Sequence, residues 1–288
     1  MSVHVFPADL PAPDAFARTL SDRLTAFRHV EWVDRTGSTN TDLLARARQA
    51  RAIDKPWLLG AHVQESGRGR AGRPWKSRPG ATLVFSCAFD VHLPPAALPA
   101  LSPLAGMALC EALRPLAGAA AADLCVKWPN DVQWREGKLV GVLIESSRNA
   151  GGPEAGHTVV AGIGVNLHDA ALLSQALQRQ VADWSQIAEA SEAAGADAAT
   201  SAADIVCAVA SSLHETFGQA ADILAGAFAE RYRRVDALAG RAVNVLDQGA
   251  VLNSGVAQGI DAQGRLLVAT PTGLLPITVG EISIRPQA

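Results

Sequence analysis

The stretch from Leu124 to Glu145, LCVKWPNDVQWREGKLVGVLIE, decides the architecture. It reads as short strands around Leu124–Lys127, Val132–Trp134 and Leu139–Glu145, rich in β-branched and aromatic residues and separated by turn chemistry. Pro129 fixes the first turn, and Asn130 and Asp131 set a carboxamide and a carboxylate on it. Such a pair orients an amine, holds a magnesium ion or bonds a ribose or phosphate; equally, it builds only the turn. Lys138 heads the third strand, where it either directs a point charge into a site or sits in water at a hairpin end. Gly141, inside that strand, marks close approach of a ligand or another backbone.

Outward from this stretch, Thr158–Asn166 is a further strand, and Gly162-Ile163-Gly164-Val165-Asn166-Leu167 is not a dinucleotide fingerprint. Upstream, His29–Arg35, Trp57–Gln64 and Ala81–Asp90 read as strands. Asp14–Phe27 has helical spacing with Asp14 as N-cap, and Ser38-Thr39-Asn40 caps a second helix that ends near Ala52. Ala96–Leu116 is a helix interrupted early by proline, and Ala170–Val235 is mostly helical with a loop near Ala193–Ser201. Beyond Gly240 short strands alternate with turn signals at 247–249, 253–255, 261–264 and 272–273. The expectation is an α/β body, residues 1–236, followed by a small five-stranded barrel, residues 237–288.

The chain has 288 residues, 25 of them basic and 28 acidic, for a net charge of −3. Two domains fit that length, and the charge excludes a broad polybasic surface as the basis of function. Cys87, Cys110, Cys125 and Cys207 form no CxxC pair, which argues against a zinc knuckle, a redox dithiol or a disulfide framework. The first residues lack a basic region and an apolar run, and Ala96–Cys110 is too short to span a bilayer, so the expected compartment is the cytoplasm. The histidines show no ligand spacing, and no GxSxG, HExxH or Walker A sequence occurs.

Glu65–Trp75, ESGRGRAGRPW, interleaves arginine with glycine in a way that suits neither a helix face nor a strand face. Glycines admit the backbone close to a ligand and offer an N–H nest, and arginine forks grip phosphate or carboxylate. Trp75 is placed to stack on a flat ring; a solvated loop or an RGG-like RNA contact are the other readings. The hydroxyls of Thr36-Gly37-Ser38-Thr39-Asn40 cap a helix and suit polar ligand atoms there.

In order, TGSTN, QESGRGRAGRPW, KWPNDV, GKLVGVLIE and GIGVNL closely resemble biotin protein ligases, over about residues 29–285. The resemblance implies an α+β fold, with a mixed central sheet flanked by helices and a C-terminal SH3-like barrel. It implies that biotin carboxylate attacks the α-phosphate of ATP, giving biotinyl-5′-AMP and pyrophosphate, and that a carrier-protein lysine then displaces AMP. Carried over residue by residue, Ser38, Thr39, Asn40 and Gln64 would bond the ureido ring, and Gly141 would leave room for the bicycle. Gly67, Arg68, Gly69 and Arg70 would close over biotin and its adenylate, with Arg73 and Trp75 toward the nucleotide. Lys138 would hold the carboxylate and α-phosphate, while Asn130, Asp131 and Asn166 would serve ATP and Mg²⁺, with Asp131 also orienting the carrier lysine. Lys138, Arg70 and Asp131 are thus the expected catalytic set.

The implied partners are biotin, ATP and the biotin carboxyl carrier protein of acetyl-CoA carboxylase, with no tightly bound prosthetic group and no membrane. Lipoate or octanoate ligation on the same fold is the alternative. Ala71 stands where the family often has arginine. Only 28 residues precede the resemblance, so a monofunctional ligase that binds no DNA is expected. Homodimerisation through a sheet edge is left open.

Overall fold

Chain order is α1 (Pro13–Arg23), β1 (His29–Thr36), α2 (Thr39–Gln49), β2 (Trp57–Gln64), β3 (Thr82–Val91) and α3 (Leu101–Leu113). β4 (Leu124–Lys127), β5 (Asp131–Trp134), β6 (Gly137–Arg148) and β7 (His157–Asn166) follow, then α4 (Ala170–Leu177), α5 (Trp184–Ala193) and α6 (Ala202–Gly218). α7 (Ala220–Asp222) runs through a π turn into α8 (Phe228–Arg233). The last strands are β8 (Ala242–Asp247), β9 (Ala250–Ile260), β10 (Leu266–Thr270), β11 (Gly273–Ile277) and β12 (Ser283–Pro286). The structure, a computed structural model, describes residues 10–49, 55–149, 156–195, 200–247, 249–280 and 283–287.

β1–β7 make one seven-stranded sheet in the order β1-β2-β3-β7-β6-β5-β4, and β8–β12 a second, five-stranded sheet in the order β11-β10-β9-β8-β12. The large sheet is mixed because β1 and β2 are parallel while the other pairs are antiparallel. A two-residue loop, Arg135 at φ +45 and Glu136 at φ +68, turns β5 into β6 and so delivers Lys138. Both positive φ values are those of the tight turn whose twist matches the strands it joins.

Period-two alternation assigns the faces. On β3, Leu83, Phe85, Cys87 and Phe89 join α1, α3 and α6 in the main core, while Ala88 faces α2 with Leu43 and Leu44. β3 is therefore apolar on both faces, and Ser86 is a polar exception with no exposed surface. That exception lies on the α2 face, where the site is built.

Several expectations shift. Asp14 is not the N-cap of α1; Ala12 is, with Pro13 opening the helix, and the helix stops at Arg23 rather than Phe27. The apolar segment is longer than Ala96–Cys110: Pro95–Leu113 has 19 residues at mean hydropathy 1.5, enough by length to cross a membrane, but 67% of it is buried inside the protein. It is a core helix because α6 and the sheet consume its apolar surface. Asn253-Ser254-Gly255 is no turn but part of β9; a Cβ at Gly255 would meet the Ala269 carbonyl oxygen at 2.2 Å, so the glycine serves close strand approach. The expected helix end near Ala52 lies outside the described residues, as do residues 196–199 of the loop expected near Ala193–Ser201.

Candidate active site

At one end of the α2 face, the helix start brings hydroxyls and amides together. Ser38 caps α2, its Oγ facing the Thr41 N–H at 3.5 Å. The Thr39 backbone N–H donates to Gln64 Oε1 at 2.9 Å, and the Thr39 hydroxyl lies 3.0 Å from the same oxygen. Asn40 is buried behind them: Ser86 donates to its Oδ1 at 2.7 Å, and its amide donates to Glu145 Oε2 at 2.8 Å. Asn40 therefore backs the pocket rather than facing it. Gly162 makes this arrangement fit, since a Cβ there would come within 2.3 Å of Asn40 Oδ1.

At the other end stand the cations. Lys138 forms a short ion pair with Asp131, and its ammonium lies 5.4 Å from the Trp75 ring. The indole rests on Gly141 and Gly164, partners across β6 and β7, where Cβ atoms would approach it to 2.5 and 2.3 Å. The space expected above Gly141 is thus occupied by Trp75. Gly162 and Gly164 share one face of β7, so the two ends of the site are about 7 Å apart along the strand.

The loop after β2 closes on itself: the Trp75 N–H donates to the Gly67 carbonyl at 2.8 Å and the Gly69 N–H to the Arg73 carbonyl at 2.7 Å. Between them Arg70–Gly72 forms a 3₁₀ turn with Ala71 at φ +53 and Gly72 at φ +66. Arg70 reaches inward and donates to Asn130 Oδ1 at 3.2 Å and to the Gly280 carbonyl at 3.1 Å. Its pKa is lowered by burial, opposed by Asp131. Arg68 points elsewhere, donating to Thr41 Oγ1 at 2.9 Å and lying 4.0 Å from Glu145. Arg73 is exposed at the loop tip. Asn166 spends its amide on the carbonyls of Lys138 and Ala182, at 3.1 and 3.2 Å, and so positions the head of β6.

Sequence reading passed over Lys127, Ser86 and Glu145. Lys127 is half-buried opposite Asp131 on β4–β5; burial lowers its pKa, Asp131 opposes this, and Lys138, Arg285 and Arg179 add to it. One carboxylate among so many cations leaves positive charge for a polyanion to neutralise. The usable signals were a lysine opening KWPND, a serine in an apolar strand and a glutamate closing GVLIE. Beside the loop, a cavity of about 820 Å³ is lined by Gln64, Gly67, Trp75, Arg78, Leu172 and Leu173, roomy enough for a nucleoside.

Residues 32–166 match the model of the Biotin/lipoate A/B protein ligase family, and residues 239–285 match the Biotin protein ligase C terminal domain. The Bifunctional ligase/repressor BirA of Escherichia coli K12 is 31% identical over 248 residues, covering 86% of this chain and 71% of the relative. This chain belongs to the biotin protein ligase family. Another member, the biotin–[acetyl-CoA-carboxylase] ligase of Mycobacterium tuberculosis, is 38% identical over 163 residues, or 55% of this chain and 58% of its own length. The solved biotin protein ligase of Aquifex aeolicus in complex with biotin and ATP shares the fold at a TM-score of 0.69 and 24% identity, over 91% of this chain and all of that one. Within the biotin protein ligase fold, the two ends of the site lie on β6 and β7 under the loop that carries Arg70 and Trp75.

Proposed function

We propose that this protein joins biotin to a lysine of the biotin carboxyl carrier protein of acetyl-CoA carboxylase, with ATP as co-substrate. The observation that carries this reading is the pairing, on one sheet face, of a hydroxyl–amide pocket at Thr39 and Gln64 with the Lys138–Asp131 and Arg70 cluster. A ureido ring needs several polar partners in a dry pocket, and the carboxylate at the end of its side chain needs cations.

In the first step a biotin carboxylate oxygen bonds to the α-phosphorus of ATP and pyrophosphate leaves. Lys138 and Arg70 stabilise the charge that gathers on the phosphoryl oxygens, and Asn130 orients Arg70 for that task. The Gly/Arg loop keeps water from the mixed anhydride. In the second step the carrier amine attacks the anhydride carbonyl and AMP departs, with Asp131 orienting the incoming amine. Mg²⁺ would travel with ATP: the described residues contain no group of three or more ligating side chains, and Asp131 is the carboxylate beside the cluster. Four unpaired cysteines, with burial pushing Cys110 up to about 12, suit a reducing cytoplasm. The division into residues 1–236 and 237–288 belongs to the same proposal.

The test is exchange of labelled pyrophosphate into ATP. Biotin should support exchange and lipoate should not. Lys138→Ala should reduce the rate on the order of 10² to 10³ while the melting temperature holds. Exchange with lipoate alone would move the substrate; none with either acid from folded protein would end the ligase reading.

A further inference from the structure

Behind Thr39 and Gln64 runs a chain of polar contacts that the adenylation chemistry does not use. Thr39 Oγ1 lies 3.0 Å from Gln64 Oε1 and 2.6 Å from Ser86 Oγ, and Ser86 Oγ lies 2.7 Å from Asn40 Oδ1. Asn40 Nδ2 then meets Glu145 Oε2 at 2.8 Å. Thr39, Asn40 and Ser86 are 3%, 4% and 0% exposed, and Gln64, half-buried, is where this chain meets the pocket.

The direction of each bond follows from what each group can do. An ionised carboxylate only accepts, so Glu145 turns the Asn40 amide toward itself and the Asn40 oxygen toward Ser86. Ser86 has one proton, and Asn40 takes it. Gln64 must keep its oxygen toward Thr39, because the Thr39 backbone N–H donates there at 2.9 Å. The Thr39 hydroxyl then has one proton for two neighbours, Ser86 and Gln64. Three oxygen–oxygen contacts share two hydroxyl protons, one fewer than they need. A donor brought by a ligand to Gln64 Oε1 frees the Thr39 proton for Ser86 and makes up the deficit.

We propose that Glu145, acting through Asn40 and Ser86, is a positioning residue that sets the polarity of this pocket so that it accepts an N–H from the ligand. The inference rests on biotin as the substrate, whose ureido ring carries that donor; the rings and chains of lipoate and octanoate carry none. Glu145 thus selects among the acids that this fold can activate. The guanidinium of Arg68, 4.0 Å from its other oxygen, is the charged group that faces it from the loop. Without the negative charge only the Leu143 carbonyl, 3.4 Å from Asn40 Nδ2, holds the amide this way round, and the amide can turn over to give its N–H to Ser86. Ser86 then supplies Thr39, Thr39 supplies Gln64, and the pocket satisfies itself.

Calorimetric titration of the full chain with biotin, and with biotin methylated on both ureido nitrogens, tests this. Glu145→Gln should weaken biotin about tenfold, the worth of one well-made hydrogen bond, and leave the methylated compound's affinity as in wild type. The KM for ATP should not move, and Glu145→Asp should recover most of the loss. Ser86→Ala, which removes one hydroxyl from the count, should show the same selective weakening. Unchanged biotin affinity in Glu145→Gln, or equal loss for both ligands, would overturn the inference. Wild-type protein that binds no biotin would instead overturn the function it rests on.

Discussion

Ala71 holds φ +53 at the tip of the Gly/Arg loop, a left-handed conformation that costs a residue with a Cβ about 1 kcal/mol. No side chain at this position offsets that cost, and the neighbouring Gly72 adopts φ +66 freely. Ala71→Gly should therefore favour the closed loop and slow release of biotinyl-AMP about fivefold, as followed by chase with unlabelled intermediate. Faster release would mean that the closed loop is not the one that retains the adenylate. Reading residue types singled out Lys138, Asp131, Arg70 and Asn130, which the structure gathers into one cluster, because charge and turn chemistry are local properties. It did not find the contacts of Asn40 and Arg68, whose partners Ser86, Glu145 and Thr41 are brought in by other elements.

At the scale of elements, β7 shows why glycines recur in an apolar strand. Gly162 clears Asn40 and Gly164 seats Trp75, both on the face opposite the core residues Ala161, Ile163 and Val165. Gly164→Ala should displace the indole, since its Cβ would lie 2.3 Å from Trp75 Cζ2. The expected result is a shifted Trp75 indole N–H resonance and a KM for ATP raised about tenfold, with the melting temperature within about 2 °C of wild type. An unmoved resonance would remove Trp75 from that seat. The strands from Leu124 to Asn166 were legible because alternation and turn residues agree there. The end of α1 and the run of β9 through Asn253–Gly255 were not, because packing overrode local turn propensity.

At the scale of the whole molecule, β4 and the turn after it are bonded to the chain that leads into β8 and to the loop between β9 and β10. The indole N–H of Trp128 donates to the Gly264 carbonyl at 3.0 Å in a buried setting, and Val126 exchanges backbone bonds with Val235 and Ala237 at 2.6 and 2.9 Å. Arg70 adds its bond to the Gly280 carbonyl, so the C-terminal part of the chain also steadies the Gly/Arg loop. Trp128→Phe leaves the Gly264 carbonyl without its donor, a loss of about 1–3 kcal/mol. Scanning calorimetry should show a melting temperature lower by several degrees, and pyrophosphate exchange should slow. A wild-type melting curve from the variant would show that the sheets are held together without this bond.

The sequence by itself determined the strands and turns from Leu124 to Asn166, the cap at Ser38 and the chemistry available in the Gly/Arg loop, since each depends on neighbours within a few positions. Five motifs in order were enough to indicate the family. Only the tertiary structure decided which of those groups share a pocket. Thr39 meets Ser86 across 47 positions and Asn40 meets Glu145 across 105, through a sheet order that places β3, β7 and β6 side by side. Hydrogen-bond polarity is a property of that closed network, and local spacing does not encode which face of which strand will complete it.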